Sequence, residues 1–545
     1  MLAAFMADAM NDHAMRDAAR GFRGAKHLRQ SSIDTGGLMK MRLLALLPAA
    51  LLLAACNKEA PPTEPAQPAE TAPKPEALVA GIKPVDIPAG YGYPGNRDEF
   101  QAWADTWQID NITTAAWNLW AGMTSASGQS WDGSSLPVWE TWCGNEEVFS
   151  AAGCNALGRP ARKFKLATQL SHAARKAGLP LPADGQVVSF NKFNPAMVSY
   201  LSTPQATNGN NYSYISATDL SNLNAAWPAG TEVSARKVVD APYTPDGGGA
   251  PGSTAMETKP VIFVVKATGL TPMPLWMGPQ FSTTPANATP ETWFNCVLLD
   301  PASTAGPETK PVPATPEQIA QIVPGSTMAC KTYLYAPLST IYSFKMDAAE
   351  ASDWNALVNN SGDGGQGVTA AAGDFGVLVG MHVNSKTIVN WTWETFWWQP
   401  GDDAPNNFPG SKQGMTDNIA GAWRNYAMCT AWNQTKGNAS KEMVVCFNPF
   451  LETSSGIPSG QTSNCVSCHG TATAGALTNN QLATMNYPAN YDAPIDFNTN
   501  ACTQSTPPGS QTCFADFTKT DFSWAIPQNA MVPPAALAPA AEAKK

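Results

Sequence analysis

The chain has 545 residues, 43% of them hydrophobic, and a formal net charge of −10. That is enough apolar material for two or three cores, which excludes general disorder, and the acidic balance disfavours nucleic acid and anionic lipid as partners. Charged residues make up only 14%, and 18 Trp, 46 Pro and 43 Gly point to a loop-rich, strand-rich exported protein.

The first feature along the chain is MKMRLLALLPAALLLAAC, Met39 to Cys56. A basic start at Lys40 and Arg42, an apolar run and small residues before the cysteine form an export signal. The run from Leu43 to Ala55 is too short to span a bilayer, which takes about 20 apolar residues. Its ending, Leu53-Ala54-Ala55-Cys56, resembles the lipobox of bacterial lipoproteins. The resemblance implies lipidation at Cys56, a signal peptide over 39–55 and an overlong gene-model start over 1–38. Asn57 after the cysteine leans toward the outer membrane, on the periplasmic side of the envelope, with the lipid as the only membrane contact. Residues 56–84 are rich in Pro, Ala and Glu and read as a tether. MVPPAALAPAAEAKK has the same character, so 531–545 is expected to be a disordered tail.

The body, 85–460, reads as α+β, strand-rich with several short helices. Asn96-Arg97-Asp98-Glu99 caps a helix on which Phe100, Trp103 and Trp107 recur at helical spacing. A second helix runs from Asn111 through Trp117 and Trp120, another opens at Thr315-Pro316-Glu317-Gln318, and a further one spans Met346 to Val358. LATQLSHAARKAG reads as a basic surface helix carrying His172. Short strands are expected at 261–267, 332–336 and 341–346. FGVLVGMHV, Phe375 to Val383, and TIVNWTWETFWW, Thr387 to Trp398, are expected to form a hairpin about Asn384-Ser385-Lys386. Phe-Asn-Pro occurs at Phe193 and again at Phe447, too short a match to establish a repeat. Gly362 to Gly367 has the letters of a dinucleotide fingerprint without its strand and helix, and reads as a flexible loop. No metalloprotease or nucleophile-elbow pattern occurs.

SNCVSCHG, Ser463 to Gly470, carries the chemistry. Two thiols three residues apart suit thioether bonds to the two vinyl groups of haem, and the next histidine then reaches iron. In this the stretch resembles c-type cytochromes. The resemblance implies one covalent haem c on Cys465 and Cys468, His469 as proximal iron ligand, and a haem site near the C-terminus. It is local. Gly, Ser and Pro precede the motif where the small cytochrome c domain has a helix, so 461–530 is expected to be a haem-attachment region packed on the body, not a simple small cytochrome c domain. Zinc with Cys502 and Cys513, a redox dithiol and a plain disulfide are the alternatives. The remaining eight cysteines are even in number, as suits an oxidising compartment. The simplest pairing joins sequence neighbours, Cys143 with Cys154, Cys296 with Cys330, Cys429 with Cys446 and Cys502 with Cys513, among 105 possibilities.

The sixth iron ligand decides the function class. The distal candidates are His382 first, then Met531 and Met485, with an open site as the alternative. Alternation puts Trp391, Trp393 and Trp397 on one strand face; with Glu394 they are candidates for the wall of a haem pocket, or simply part of a strand buried between layers. Three functions follow. One is an envelope-anchored electron-transfer cytochrome with a redox partner protein or a small-molecule reductant or oxidant. Another is a haem-dependent oxidoreductase, peroxidase- or oxygenase-like, with an open iron. The third is a binding scaffold with a structural haem.

Overall fold

The structure, a computed structural model, describes residues 81–532 apart from 94, 151–152, 155–156, 167–186, 244–253, 279–289, 359–365, 404–407, 438–441, 454–461 and 486–513. These residues all belong to one unit, Pro75–Lys545. The export signal, Cys56, most of the tether, His172, Cys502 and Cys513 lie outside the described residues. The class is α+β, with a strand-rich body and short helices.

The front of the body follows its sequence signals. Oδ1 of Asn96 accepts from the backbone N–H groups of Asp98 and Glu99 at 2.9 and 3.2 Å, opening α1, Arg97–Asp105. Trp107 falls just beyond α1 with φ 58°, and its indole packs on Trp432 at 4.5 Å between ring centroids. Helix α2, Ile109–Thr124, buries Trp117 and Trp120.

Four long strands carry the central sheet: β1, Met256–Val265; β2, Phe375–Ser385; β3, Thr392–Trp398; and β4, Tyr426–Ala431. They pair antiparallel in the order β4-β3-β2-β1, and the sheet continues through Val188–Ser189 and Lys165–Leu166. All seven residues of β3 are buried, so this strand is covered on both sides. Register sorts its side chains: His382 lies opposite Lys259 and Thr395, and Asn384 opposite Glu257 and Trp393. Those six share one face. Val383 and Glu394, paired one step between, point to the other. The second face receives α2, where Trp120 stacks on Phe396 at 4.0 Å and Trp117 meets its edge at 5.6 Å. A smaller sheet sets Asn295–Asp300 parallel to Thr332–Pro337, flanked by Thr271–Pro274 and Val312–Pro313.

The hairpin turn is longer than its polar letters predicted. Strand β2 runs on to Ser385, β3 starts only at Thr392, and residues 386–391 connect them. The reason is burial. Lys386 is fully buried against Asp521, Thr387 bonds the hydroxyl of Tyr93 at 3.2 Å, and Ile388 packs with Phe100, Ile112 and Trp432. The supposed flexible loop is likewise pinned where it is described. Gln366, fully buried, donates to the carbonyls of Val264 and Pro272 and accepts from Val264 N–H.

The two Phe-Asn-Pro tripeptides build one device twice. Asn194 and Asn448 are buried N-caps, of Pro195–Ser202 and of α3, Pro449–Glu452, each with Pro in the first turn. A Cβ on Gly380 would lie 2.8 Å from Nδ2 of Asn448, so a bare backbone lets α3 approach β2. Among the described residues no helix is long and apolar enough to cross a membrane. Because Phe396 is fully buried between the sheet and α2, Phe396→Ala is expected to cost about 3–5 kcal/mol of stability, read as a lower denaturation midpoint.

Candidate functional site

The first sheet face, bearing Lys259, His382 and Trp393, is covered by α3 and by α4, Cys465–His469. Asn464 starts α4: its Oδ1 accepts from Val466 N–H at 3.0 Å, and its Nδ2 donates to the Val444 carbonyl at 2.8 Å. One polar side chain thus both caps the helix and ties it to the body. Within α4, Val466 and Ser467 are buried, whereas Cys465, Cys468 and His469 are only partly so. The three residues of the motif with chemistry therefore share the more open side of one helical turn.

His469 is held from two directions. Its ring lies 4.3 Å from that of Trp393, and Nδ1 is 2.8 Å from the carbonyl oxygen of Phe522. A carbonyl only accepts, so Nδ1 carries the proton and Nε2 keeps its lone pair. Burial pushes the imidazole down to about 3, against the opposing pull of the Phe522 carbonyl, so the ring is neutral at ordinary pH. A neutral ring with Nδ1–H anchored and Nε2 available is a metal ligand in waiting.

The Phe522 carbonyl is delivered by a strap formed by residues 518–524. Thr518–Lys519 pairs with Thr473–Ala474 beyond α4, and Nε1 of Trp524 donates to the Cys468 carbonyl at 3.2 Å. At its centre Asp521 and Phe522 both take left-handed φ, 49° and 65°. Oδ1 of Asp521 meets Nζ of Lys386 at 2.6 Å, and Oδ2 accepts from Ala241 N–H at 2.8 Å. Burial raises the Asp521 carboxyl to about 6 although Lys386 pulls the other way. Leaving either charge of such a pair without its partner costs on the order of 3–5 kcal/mol.

Of the three distal candidates, only His382 stands on the sheet face that meets α4. Its Nε2 is 2.6 Å from Oε1 of Glu452, whose Oε2 accepts from Asn448 N–H. Nδ1 of His382 is buried and meets no hydrogen-bond partner among the described residues. Met485 instead packs with Val233 and Phe514. Met531 is held through its backbone by Ile215 and Ala217, so the expected tail begins at an anchored residue. Trp393 belongs to the His469 surroundings, and Trp391 lies beyond it with ring centroids 6.2 Å apart. Trp397 is on the same face as Trp393 but four residues along, paired with Gly380 and Ala427. Glu394 stands on the other face of the sheet, which strand alternation turns toward α2.

Sequence reasoning missed Glu452, Phe522, Lys386 and Asp521. A backbone carbonyl that accepts the hydrogen bond leaves no side-chain signal at all, but Asn448-Pro449 followed by Glu452 is a readable cap with an acid four residues on.

The redox-dithiol and disulfide alternatives meet observations at α4, whereas the zinc alternative needs Cys502 and Cys513, which lie outside the described residues. Cys465 and Cys468 carry thiols rather than disulfides. Burial, with Glu452 and Cys468 nearby, pushes the Cys465 thiol well up, opposite to the lowered value a dithiol nucleophile needs. Among the described residues the only group of three possible metal ligands within 4.8 Å of one another is Cys143, Glu147 and Cys154, away from the motif. Cys143 and Cys154, Cys296 and Cys330, and Cys429 and Cys446 sit at disulfide separations, with Cα–Cα 5.6, 5.7 and 5.7 Å. Two thiols and an anchored imidazole on one open side fit a covalently held haem. No protein-family model, curated protein or solved structure matches the chain.

Glu394 gives a pH test. Burial raises its carboxyl to about 8, far above the ordinary 4.5, so the folded chain holds this proton and the unfolded chain releases it. Its contribution is full below pH 4.5 and is lost as pH rises to about 8. Chemical denaturation across that range should show stability falling with pH in the parent chain and falling less steeply in Glu394→Gln.

Proposed function

We propose that the chain is an envelope-anchored c-type cytochrome that binds one covalent haem and transfers electrons. Cys465 and Cys468 hold the haem by thioethers, and His469 Nε2 is its proximal iron ligand. The observation that carries this reading is the open side of α4, which presents both thiols and an imidazole whose other nitrogen is already bound to the Phe522 carbonyl. Bound haem supplies an iron that takes up and gives back one electron. The chain fixes the ring plane of His469 through Trp393, keeps its proton on Nδ1, and shields the site with the sheet face behind. Export to an oxidising compartment, with a lipid on Cys56 holding the protein to the periplasmic side of the outer membrane, agrees with three cysteine pairs at bonding distance.

A haem-dependent oxidoreductase with an exchangeable sixth position is a second reading, favoured by one observation: Nε2 of His382 is already committed to Glu452. Expression with a haem-attachment system separates the readings. Haem should stay with the denatured polypeptide, and Cys465→Ala with Cys468→Ala should release it; a parent chain without covalent haem would sink the proposal. A low-spin spectrum indifferent to cyanide, turned high-spin by His382→Ala, marks the electron carrier with His382 on iron. A high-spin spectrum that cyanide shifts marks the enzyme.

A further inference from the structure

The buried ion pair Lys386–Asp521 is remote from the motif in sequence and takes no part in the attachment chemistry, yet its geometry converges on His469. Lys386 sits at the bend after β2, fully buried, with Nζ on Asp521 Oδ1 at 2.6 Å and on the Val389 carbonyl at 2.7 Å. Its own backbone N–H is tied to the Ala255 carbonyl, and its ammonium lies 5.5 Å from the Trp391 ring. The backbone N–H and the ammonium of this lysine are thus held by Ala255, Val389 and Asp521. Asp521 is the residue this anchor grips, and it is the first of two consecutive side-chain-bearing residues with left-handed φ. Such residues resist that conformation by about 1–2 kcal/mol each, so the turn needs holding. Ala241 N–H grips the other carboxylate oxygen, and Ser523 bonds Glu257 on β1. The peptide carbonyl between these clamps is that of Phe522.

We propose that Lys386 and Asp521 are positioning residues for His469: their buried pair locks the Asp521–Phe522 turn so that the Phe522 carbonyl holds Nδ1–H and Nε2 stays bare for iron. The inference rests on the haem reading for its consequence but on this chain's own residues for its geometry. A firmly held Nδ1–H makes the imidazole a stronger donor, which favours oxidised iron and lowers the reduction potential. Loosening the pair should therefore mix the imidazole tautomers and raise the potential.

The test uses two preparations of Lys386→Met, Asp521→Asn and Lys386→Arg. In full-length chain labelled with nitrogen-15 at histidine and made without haem attachment, His469 should give the Nδ1–H tautomer in the parent and in Lys386→Arg. It should give a mixture in Lys386→Met and Asp521→Asn. In haem-loaded chain the same two variants should show a raised midpoint potential. Arg162→Met serves as comparison, because it breaks a buried contact with Glu140 and Glu350 on another part of the body; it should lower stability and leave both readouts unmoved. Variants that unfold cooperatively yet keep the parent tautomer and potential overturn the proposal, leaving the pair as a stabilising contact only. Should Lys386→Met fail to fold, Asp521→Asn, which removes the charge and keeps an acceptor for Ala241, decides alone. If the parent chain takes no haem, the haem reading fails while the tautomer measurement still decides the positioning.

Discussion

Strand β3 has no solvent side, and that single constraint organises the body. A strand buried on both faces releases its apolar surface only if two further layers cover it. On one face α2 supplies indoles, with Trp120 stacked on Phe396. On the other face the cover is α3, α4 and the strap that carries Phe522. The layer that finishes the core is thus the same layer that carries the motif, so folding the body and shaping the site are one event.

This coupling explains where the polar groups went. Lys386, Asp521, His382, Glu394 and Asn448 are all buried, a setting in which charge and unmet hydrogen bonds are costly. Most are answered by specific partners: Asp521 and the Val389 carbonyl for Lys386, Glu452 for His382, the Phe396 carbonyl and the Thr395 hydroxyl for Asn448. Glu394 answers burial differently, by keeping its proton. A neutral acid costs far less to bury than a charged one, and one oxygen of Glu394 meets no hydrogen-bond partner among the described residues.

Local signals were legible and long-range ones were not. The cap at Asn96 and the capping box at Thr315 were readable because each device is complete within four residues. The motif announced its three chemical residues for the same reason. The hairpin turn misled because Asn384-Ser385-Lys386 has the letters of a solvent turn, and nothing nearby says that an aspartate 135 positions later will bury the lysine. Glu394 stands on the opposite face from its neighbour Trp393, which meets His469, because a strand turns each successive side chain away from the last. Phe-Asn-Pro was visible twice, but its meaning as a buried helix start needed the carbonyls that each asparagine meets across the fold.

The contact between His469 and Phe522 spans 53 positions of chain. The motif is therefore portable while the site is not. Its eight residues, grafted onto another protein, would bring the thiols and the imidazole with them. They would leave behind the Phe522 carbonyl and the Trp393 ring that hold that imidazole. Two chains sharing this short stretch letter for letter can thus set its histidine in quite different surroundings.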